Sequence, residues 1–410
     1  MQPGTTLPLV IFALTYFVIA AGKLPRLKLD RTGAALAGAV AMVIAGTLSR
    51  REAVAAVDFP TLVLLLGMMI VVANLRLSGA FAIAARTLLL RSRSGFGLLA
   101  LTIAAAGVLA AFFINDVVCL ALAPLLIEIS RSIHVSPVPY LLALATASNI
   151  GSAATITGNP QNMIVAGFAH LGYGAFALRL APVAIAGLFV DYTVIAFLYR
   201  GQLRGVRVGA GTRSLRRRHV PRAFMARSAL IAAGVLIGFI AGFPTELVAV
   251  VAGAVSLFTR RVKPERVYKL VDWTLLLMFA GLFMVVAGAE KTGLQDWLVA
   301  AIGVDQLVNM VVLAIVVAVL SNLVSNVPAV MLFRPLYRSL GWNRATALVI
   351  ASASTLAGNL TVVGSIANLI VIEEARHQGV TISFGEYLRT GLPVALVTLT
   401  IDIALLRLGA

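Results

Sequence analysis

The chain has one cysteine, Cys119, so a disulfide framework is excluded. That cysteine sits inside an apolar run, as a small packing residue does. Its four histidines, His134, His170, His219 and His377, fall at segment ends without ligand-like spacing, and no metal site or cofactor is expected. Charge is scarce: only 12% of residues are charged, against about 25% in soluble domains. Acidic residues are scarcer still, 16 against 33 basic ones, giving a net charge of +17. No basic stretch is interleaved with aromatics, which excludes a nucleic-acid partner that stacks bases. There is no Ser/His dyad, no His-Glu-x-x-His run and no paired intramembrane aspartates, so enzymatic chemistry is not expected. No basic n-region precedes the first apolar stretch and no convincing cleavage site follows it, so residues 7–21 read as a retained span.

What the chain has instead is hydrophobic length. Apolar residues make up 60% of the 410 and the mean hydropathy is +0.99, so lipid rather than water is the main solvent. Apolar stretches of spanning length occur at about 7–21, 33–49, 59–76, 177–199, 227–243, 246–259, 272–290 and 388–408. Between them, 95–170 and 306–373 are apolar but interrupted by Asn, Ser, Thr, Gly and Pro. Basic residues collect in two loops. Nine arginines lie between Arg200 and Arg227, and a second cluster comprises Arg260, Arg261, Lys263, Arg266 and Lys269. The positive-inside rule places both in the cytoplasm.

An internal duplication is visible. Asp58-Phe-Pro-Thr-Leu-Val-Leu-Leu-Leu-Gly resembles Asp272-Trp-Thr-Leu-Leu-Leu-Met-Phe-Ala-Gly once one residue is skipped. Asn115 and Pro124 recur as Asn326 and Pro335. Ser148, Thr155, Gly158, Asn162, Ile164 and Val165 recur at one constant offset as Ser354, Thr361, Gly364, Asn368, Ile370 and Val371. The expected plan is an all-α polytopic membrane protein of two inverted repeats, 1–199 and 227–410, joined by a basic cytoplasmic linker at 200–226. Each repeat carries a re-entrant hairpin and a broken transmembrane helix. With the basic loops inside, the hairpin at 95–131 opens to the cytoplasm and that at 306–340 to the exterior; 291–305 lies outside as an amphipathic stretch. Lys23, Arg26, Lys28 and Arg31 then fall inside, and Arg50 and Arg51 fall on the wrong side. Opposed halves of this kind are the plan of secondary transporters.

Polar hairpin tips at membrane depth persist only where protein or a water-filled cavity satisfies their backbone. The tips are Ile114-Asn115-Asp116 and Ser325-Asn326-Val327-Pro328. The broken spans add Ser148, Asn149, Thr155, Gly158, Asn159 and Asn162 from one half, and Ser354, Thr355, Gly358, Asn359, Thr361, Gly364 and Asn368 from the other. Glycine and proline there free backbone groups for ligand contact. Half-helix N-termini favour an anion, while amide oxygens and freed carbonyls suit a cation. Small polar residues also mediate plain helix packing in lipid. Asn115, Ser148, Asn149, Asn159, Asn326, Ser354, Thr355 and Asn359 are expected to converge near mid-membrane. Asp116 is the one acid at either tip, opposite Val327 in the second half, and is expected to carry the coupling proton. Pro124 and Pro335 are expected to shape the hairpin arms, and Asp58 and Asp272 to cap their spans.

At Phe113-Ile-Asn-Asp116, Gly158-Asn-Pro-Gln-Asn162, Ser325-Asn-Val-Pro328 and Gly358 to Asn368, the sequence resembles the ion transporter superfamily. That superfamily includes arsenite efflux permeases, sodium/proton antiporters of the NhaD type, and citrate and dicarboxylate transporters. The resemblance covers nearly the whole chain. Dicarboxylate members carry Ser-Asn-Thr at both tips, whereas these read Ile-Asn-Asp and Ser-Asn-Val; the Asn-Asp tip is similar to that of arsenite permeases. The resemblance therefore implies proton-coupled arsenite or antimonite efflux across the inner membrane. Sodium/proton exchange or citrate-type transport is its alternative, and a passive channel is a remoter one. It further implies a small inorganic or carboxylate substrate, a proton or sodium as coupling ion, a homodimer as in some relatives, and a soluble ATPase partner if the chain is an arsenite permease.

Overall fold

The computed structural model describes residues 6–21, 23–24, 29–208, 222–259, 261–293, 303, 307–339, 341 and 343–408. Residues 209–221 of the linker 200–226, most of the stretch 291–305, and Arg26, Lys28, His219 and Arg260 lie outside the described residues. The first half runs α1 (Thr6–Ala21), α2 (Arg31–Ile44), α3 (Arg50–Ala56), α4 (Phe59–Leu77), α5 (Ala80–Leu89), α6 (Gly95–Phe112), α7 (Asn115–Ser132), α8 (Val138–Ser152), α9 (Pro160–Phe168), α10 (Tyr173–Leu198) and α11 (Arg200–Leu203). The second runs α12 (Arg222–Ile240), α13 (Thr245–Leu257), α14 (Pro264–Tyr268), α15 (Trp273–Glu290), α16 (Met310–Val324), α17 (Asn326–Ser339), α18 (Arg344–Leu356), α19 (Ile366–His377) and α20 (Phe384–Leu408). Among the described residues the one strand ladder pairs Lys23 with Asp30 and Leu24 with Leu29.

Six of these helices, α4, α6, α10, α12, α15 and α20, are long and apolar enough to cross a membrane. Large apolar side chains such as Leu178 and Phe189 on α10 and Ile237 on α12 stand exposed, as they do where lipid replaces water. The run at 33–49 does not form one span. Helix α2 stops at Ile44, Gly46 takes a left-handed φ of +70°, and Ser49 opens α3 with a capping box to Glu52. Arg50 and Arg51 therefore start a short helix of their own rather than end a span. Helix α5, with Arg86 in its last turn, is an element that the apolar runs do not announce.

The elements of the halves recur in order, and detail recurs with them. Asp58 and Asp272 cap α4 and α15 with nearly the same backbone angles, −80°/83° and −82°/81°. Their carboxylates accept from Thr61 N at 3.1 Å and Leu275 N at 2.9 Å. Pro124 and Pro335 lie inside α7 and α17, the returning arms of the hairpins α6–α7 and α16–α17. Each half also lends a helix to the other: α13 packs along α4, and α2 along α15. Glycine makes both approaches close. A Cβ on Gly67 would stand 2.4 Å from the Ala249 backbone, and one on Gly281 2.8 Å from that of Ala35. Close backbone contact over small residues is how helices associate where lipid removes the hydrophobic drive between them.

Candidate functional site: the crossed breaks

Both interrupted helices break for local reasons. After Ser152 the chain makes a tight turn over Ile156–Gly158 before Pro160 starts α9. A Cβ on Gly158 would lie 2.1 Å from the Ser152 carbonyl oxygen, so no larger residue fits this turn. Proline at a helix start loses nothing, because its missing N–H would be unbonded there anyway. Asn159 caps α9, its Oδ1 accepting from Asn162 N at 3.2 Å. In the second half, turns at Ala357–Asn359 and Val362–Gly364 follow α18, and Ser365, at the register of Asn159, caps α19 by accepting from Ala367 N at 3.3 Å.

A broken helix exposes carbonyls that lipid cannot satisfy. One asparagine per half deals with them. Asn162 Nδ2 donates to the carbonyls of Ser152 (3.0 Å) and Thr155 (2.8 Å). Asn368 Nδ2 donates to the matching carbonyls of Gly358 (2.7 Å) and Thr361 (3.1 Å).

Two buried side chains then tie the halves together. Asn149 Oδ1 accepts from Ser365 Oγ at 2.9 Å, and its Nδ2 donates to Asn359 Oδ1 (2.8 Å) and Asn368 Oδ1 (3.0 Å). Thr355 holds the register of Asn149. Its hydroxyl accepts from Asn159 Nδ2 (3.1 Å) and Gln161 Nε2 (3.2 Å) and faces Asn162 Oδ1 at 3.3 Å. Each hub thus grips the half-helix of the opposite half. Ser148 and Ser354 turn their hydroxyls to the carbonyls of Ala145 and Ala351, both at 2.9 Å, with Cys119 Sγ 3.1 Å from Ser148.

The hairpin tips meet this cluster unequally. Asn115 Nδ2 donates to Asn149 Oδ1 at 2.9 Å. Asn326 directs its amide nitrogen to the carbonyls of Gly364 and Ser354 and its oxygen to Gln161 Nε2. Ser325 contributes backbone: its φ of +77° and ψ of 157° turn the tip between α16 and α17. Asp116 differs: it forms no hydrogen bond in the cluster, follows Ile114 of the small apolar group of Met69, Ile114 and Val271, and lies within electrostatic reach of both Asp272 and Cys119. Thr155 donates to the Ala111 carbonyl, while Thr361 bonds Asn322 Oδ1 at 3.0 Å.

The sequence does not single out Gln161, Ser152, Thr157, Ser365 or Asn322, all of which belong to this network. A search for identical residues in two halves passes over positions where the role recurs and the residue changes, as at Asn159 and Ser365. Nor does it single out Asp191 and Asp402, two fully buried acids in α10 and α20 that stand at matched positions in the halves. No Lys, Arg or His side chain bonds within the cluster among the described residues. A cavity of about 530 Å³ approaches it past Ile156 and Met163, with Asp58, His170, Glu246 and Arg334 along its walls. His134 and His170 are left-handed residues at the ends of α7 and α9, a backbone role at the segment ends.

The chain is similar along its length to known membrane transporters. It is 28% identical to the silicon efflux transporter LSI3 of Oryza sativa subsp. japonica over 98% of both chains. It is also 28% identical to a 46 kDa membrane protein of Mycobacterium leprae, over 95% of this chain and 96% of that one. An arsB transporter of Dictyostelium discoideum is 23% identical over 97% and 92% of the two chains. Among solved structures, the YdaH transporter of Alcanivorax borkumensis shares the fold, with a TM-score of 0.59 at 18% identity over 98% and 96% of the chains. The CitMHS citrate transporter family matches residues 10–341, and the chain belongs to that family of membrane transporters, within the ion transporter superfamily.

Proposed function

We propose that the protein is a secondary efflux carrier that binds a neutral, polyhydroxylated weak acid at the crossed breaks, with arsenite or antimonite as its substrate and an inward proton as its drive. One observation supports this above the rest: the cluster is built of amides and hydroxyls from both halves, with no cationic side chain among the described residues bonded into it. A citrate or dicarboxylate ion needs compensating positive charge where it binds, from a cationic side chain, a co-bound cation or helix N-termini. As(OH)3 is neutral near neutral pH and offers three hydroxyls, each able to donate and accept. Such a molecule substitutes for the bonds between Asn149 and Asn359 and between Thr355 and Asn159. Those bonds span the halves, so occupying them changes how firmly one half holds the other, which is the step alternating access requires. One relative is named for silicon efflux and another arsB, and both silicon and arsenic form neutral hydroxides in water.

In this reading the halves are inverted, the basic loops face the cytoplasm of an inner-membrane protein, and the cavity beside Ile156 opens on the opposite face. Asp116, next to the cluster rather than in it, exchanges the proton. A citrate-type reading has one feature in its favour, the N-termini of α9 and α19 directed into the cluster, where helix dipoles suit an anion. Purified protein in proteoliposomes decides between them. Arsenite, antimonite, silicic acid, citrate, succinate and sodium are each offered with and without a pH gradient. Arsenite accumulation that scales with the gradient supports the proposal; citrate accumulation without arsenite binding overturns it.

A further inference from the structure

Asp191 and Asp402 take no part in the cluster described above. Each follows an in-helix proline, Pro182 in α10 and Pro393 in α20, at the same spacing. Each is 0% exposed. Neither forms an ion pair among the described residues, and both carboxylate oxygens of Asp191 and one of Asp402 lack a hydrogen-bond partner. An acid in such surroundings needs either a proton or a cation.

The surroundings are duplicated in part. Ser352 Oγ lies 2.7 Å from Asp402 Oδ2, and at the same register in α8 Thr146 stands near Asp191, whose two oxygens accept no hydrogen bond. Both hydroxyls also lie against the carbonyl four residues back, Ser352 on Leu348 at 2.8 Å and Thr146 on Leu142 at 2.9 Å. One hydroxyl hydrogen cannot serve two acceptors. Both contacts of Ser352 are made together only when Asp402 brings a hydrogen of its own and donates it to Oγ. If Asp402 ionises, Ser352 must turn its hydrogen to the carboxylate and release Leu348. A metal ion needs several ligands around it, and among the described residues no group of three or more His, Cys, Asp and Glu surrounds either acid; a proton needs one acceptor.

The position of the pair connects it to the breaks. Ser352 lies one turn before Thr355 in α18, and Thr146 one turn before Asn149 in α8, so each acid touches the helix that carries a hub. Helices α10 and α20 meet each other where Gly187 faces Thr398, two residues that are themselves matched in the duplication. From α20, Tyr387 is the titratable group that faces Asp191; its buried hydroxyl is without a hydrogen-bond partner, and it lies beside Asn368 of the cluster and Cys119 of α7. Among the described residues, Asp402 is faced by the Ser352 hydroxyl and by no charged group.

We propose that Asp191 and Asp402 are a symmetry-matched pair of proton-binding carboxylates, one per half, each beside the helix that leads into its break, with Asp402 switching the hydroxyl of Ser352. The proposal rests on the proton-driven reading above and extends it, because it adds two proton sites to Asp116 and places each beside a helix that carries a hub.

Infrared difference spectra of the purified full-length protein in nanodiscs, recorded across a pH titration, report protonated carboxyl groups directly and without any substrate. The wild type is expected to show buried carboxyl C=O bands that vanish as pH rises. Asp402→Asn and Asp191→Asn should each delete one band and leave the Asp116 band in place. Asp402→Glu and Asp191→Glu keep the acid and should shift the same bands, which serves if an Asn variant fails to fold. Bands that persist unshifted in all four variants, or a wild type with no titrating carboxyl beyond the one removed by Asp116→Asn, would overturn the proposal. Arsenite binding is measured separately, so a wrong substrate leaves these spectra unchanged and the two proposals fail independently.

Discussion

Asn149 and Thr355 hold the same register in the two halves, and each reaches across to the cap and the clamp of the opposite break. Asn149 meets Ser365 and Asn368, and Thr355 meets Asn159 and Asn162. Reciprocal contacts between matched residues are what a two-fold relation produces, as in an isologous interface. The site is therefore shared equally by the halves, and the hubs are where its integrity is tested.

Thr355→Val keeps the shape of the side chain and removes the hydroxyl, leaving one N–H each of Asn159 and Gln161 without its acceptor while their bonds to Ser152 and Asn326 remain. Each buried donor orphaned in this way costs about 1–3 kcal/mol. Asn149→Ala orphans Asn115 and Ser365 in the same manner. Both variants should lower the melting temperature of the detergent-solubilised protein by similar amounts, and Thr355→Ser should restore it. A Thr355→Val protein as stable as the wild type would show that the cross-brace carries little.

Asp116→Asn retains the shape of the side chain and loses titration. Because Asp116 takes no hydrogen bond within the cluster, the variant should fold and bind substrate normally. Gradient-driven accumulation should disappear while substrate exchange persists. Counterflow and net uptake measured on the same proteoliposomes separate these two outcomes.

Ser325 adopts a backbone conformation that glycine favours, at a cost of order 1–3 kcal/mol for any other residue. Ser325→Gly should raise thermal stability. If the tip must hold its shape while the hairpin moves, the same variant should transport more slowly. Melting temperature and transport rate, measured side by side, check both halves of this expectation.

At the membrane surface, Glu52 pairs with Lys291 at 2.6 Å. The hydrogen bond from Lys291, followed by those from Ser49, holds its carboxyl down at about 2. A carboxylate held low in the folded state stabilises above the ordinary glutamate range and loses that contribution as pH falls through the folded value. The pair is exposed, so the effect is small at neutral pH. Lys291→Ala should leave the neutral-pH melting temperature almost unchanged and flatten its acid-side decline; an unchanged acid limb would remove Lys291 as the cause.

Lipid makes much of this fold readable in sequence, since a spanning segment must be apolar and its backbone satisfied, and a duplicated asparagine at a break stands out against that background. The hairpins, the broken helices and the caps Asp58 and Asp272 follow from that constraint. Helix α5 does not, because Arg86 interrupts the run, and neither does the division of 33–49, which depends on the left-handed Gly46 and the capping box at Ser49. The crossed pairing of the hubs is invisible for another reason: asparagine and threonine play one role at one register, and identity does not record roles. Asp191 and Asp402 sit alone in long apolar runs, where a single acid barely alters hydropathy. Asp116 is conspicuous at its tip, yet it forms no hydrogen bond in the cluster that its neighbour Asn115 enters.

Opposed orientation of the halves is tested with the lone, buried Cys119 as a quiet background. Arg93→Cys, before the first hairpin, and Arg344→Cys, after the second, both replace exposed residues. An impermeant thiol reagent should reach them from opposite sides of the membrane; labelling of both from one side contradicts the inverted arrangement.

The most direct test of one shared site for a neutral hydroxide is arsenite accumulation in proteoliposomes under an imposed proton gradient, compared among wild type, Asn149→Ala and Thr355→Val. The account predicts gradient-dependent accumulation by the wild type and its loss, to the same low level, in both variants. Wild-type transport by either variant, or no gradient-dependent accumulation by the wild type, would contradict it.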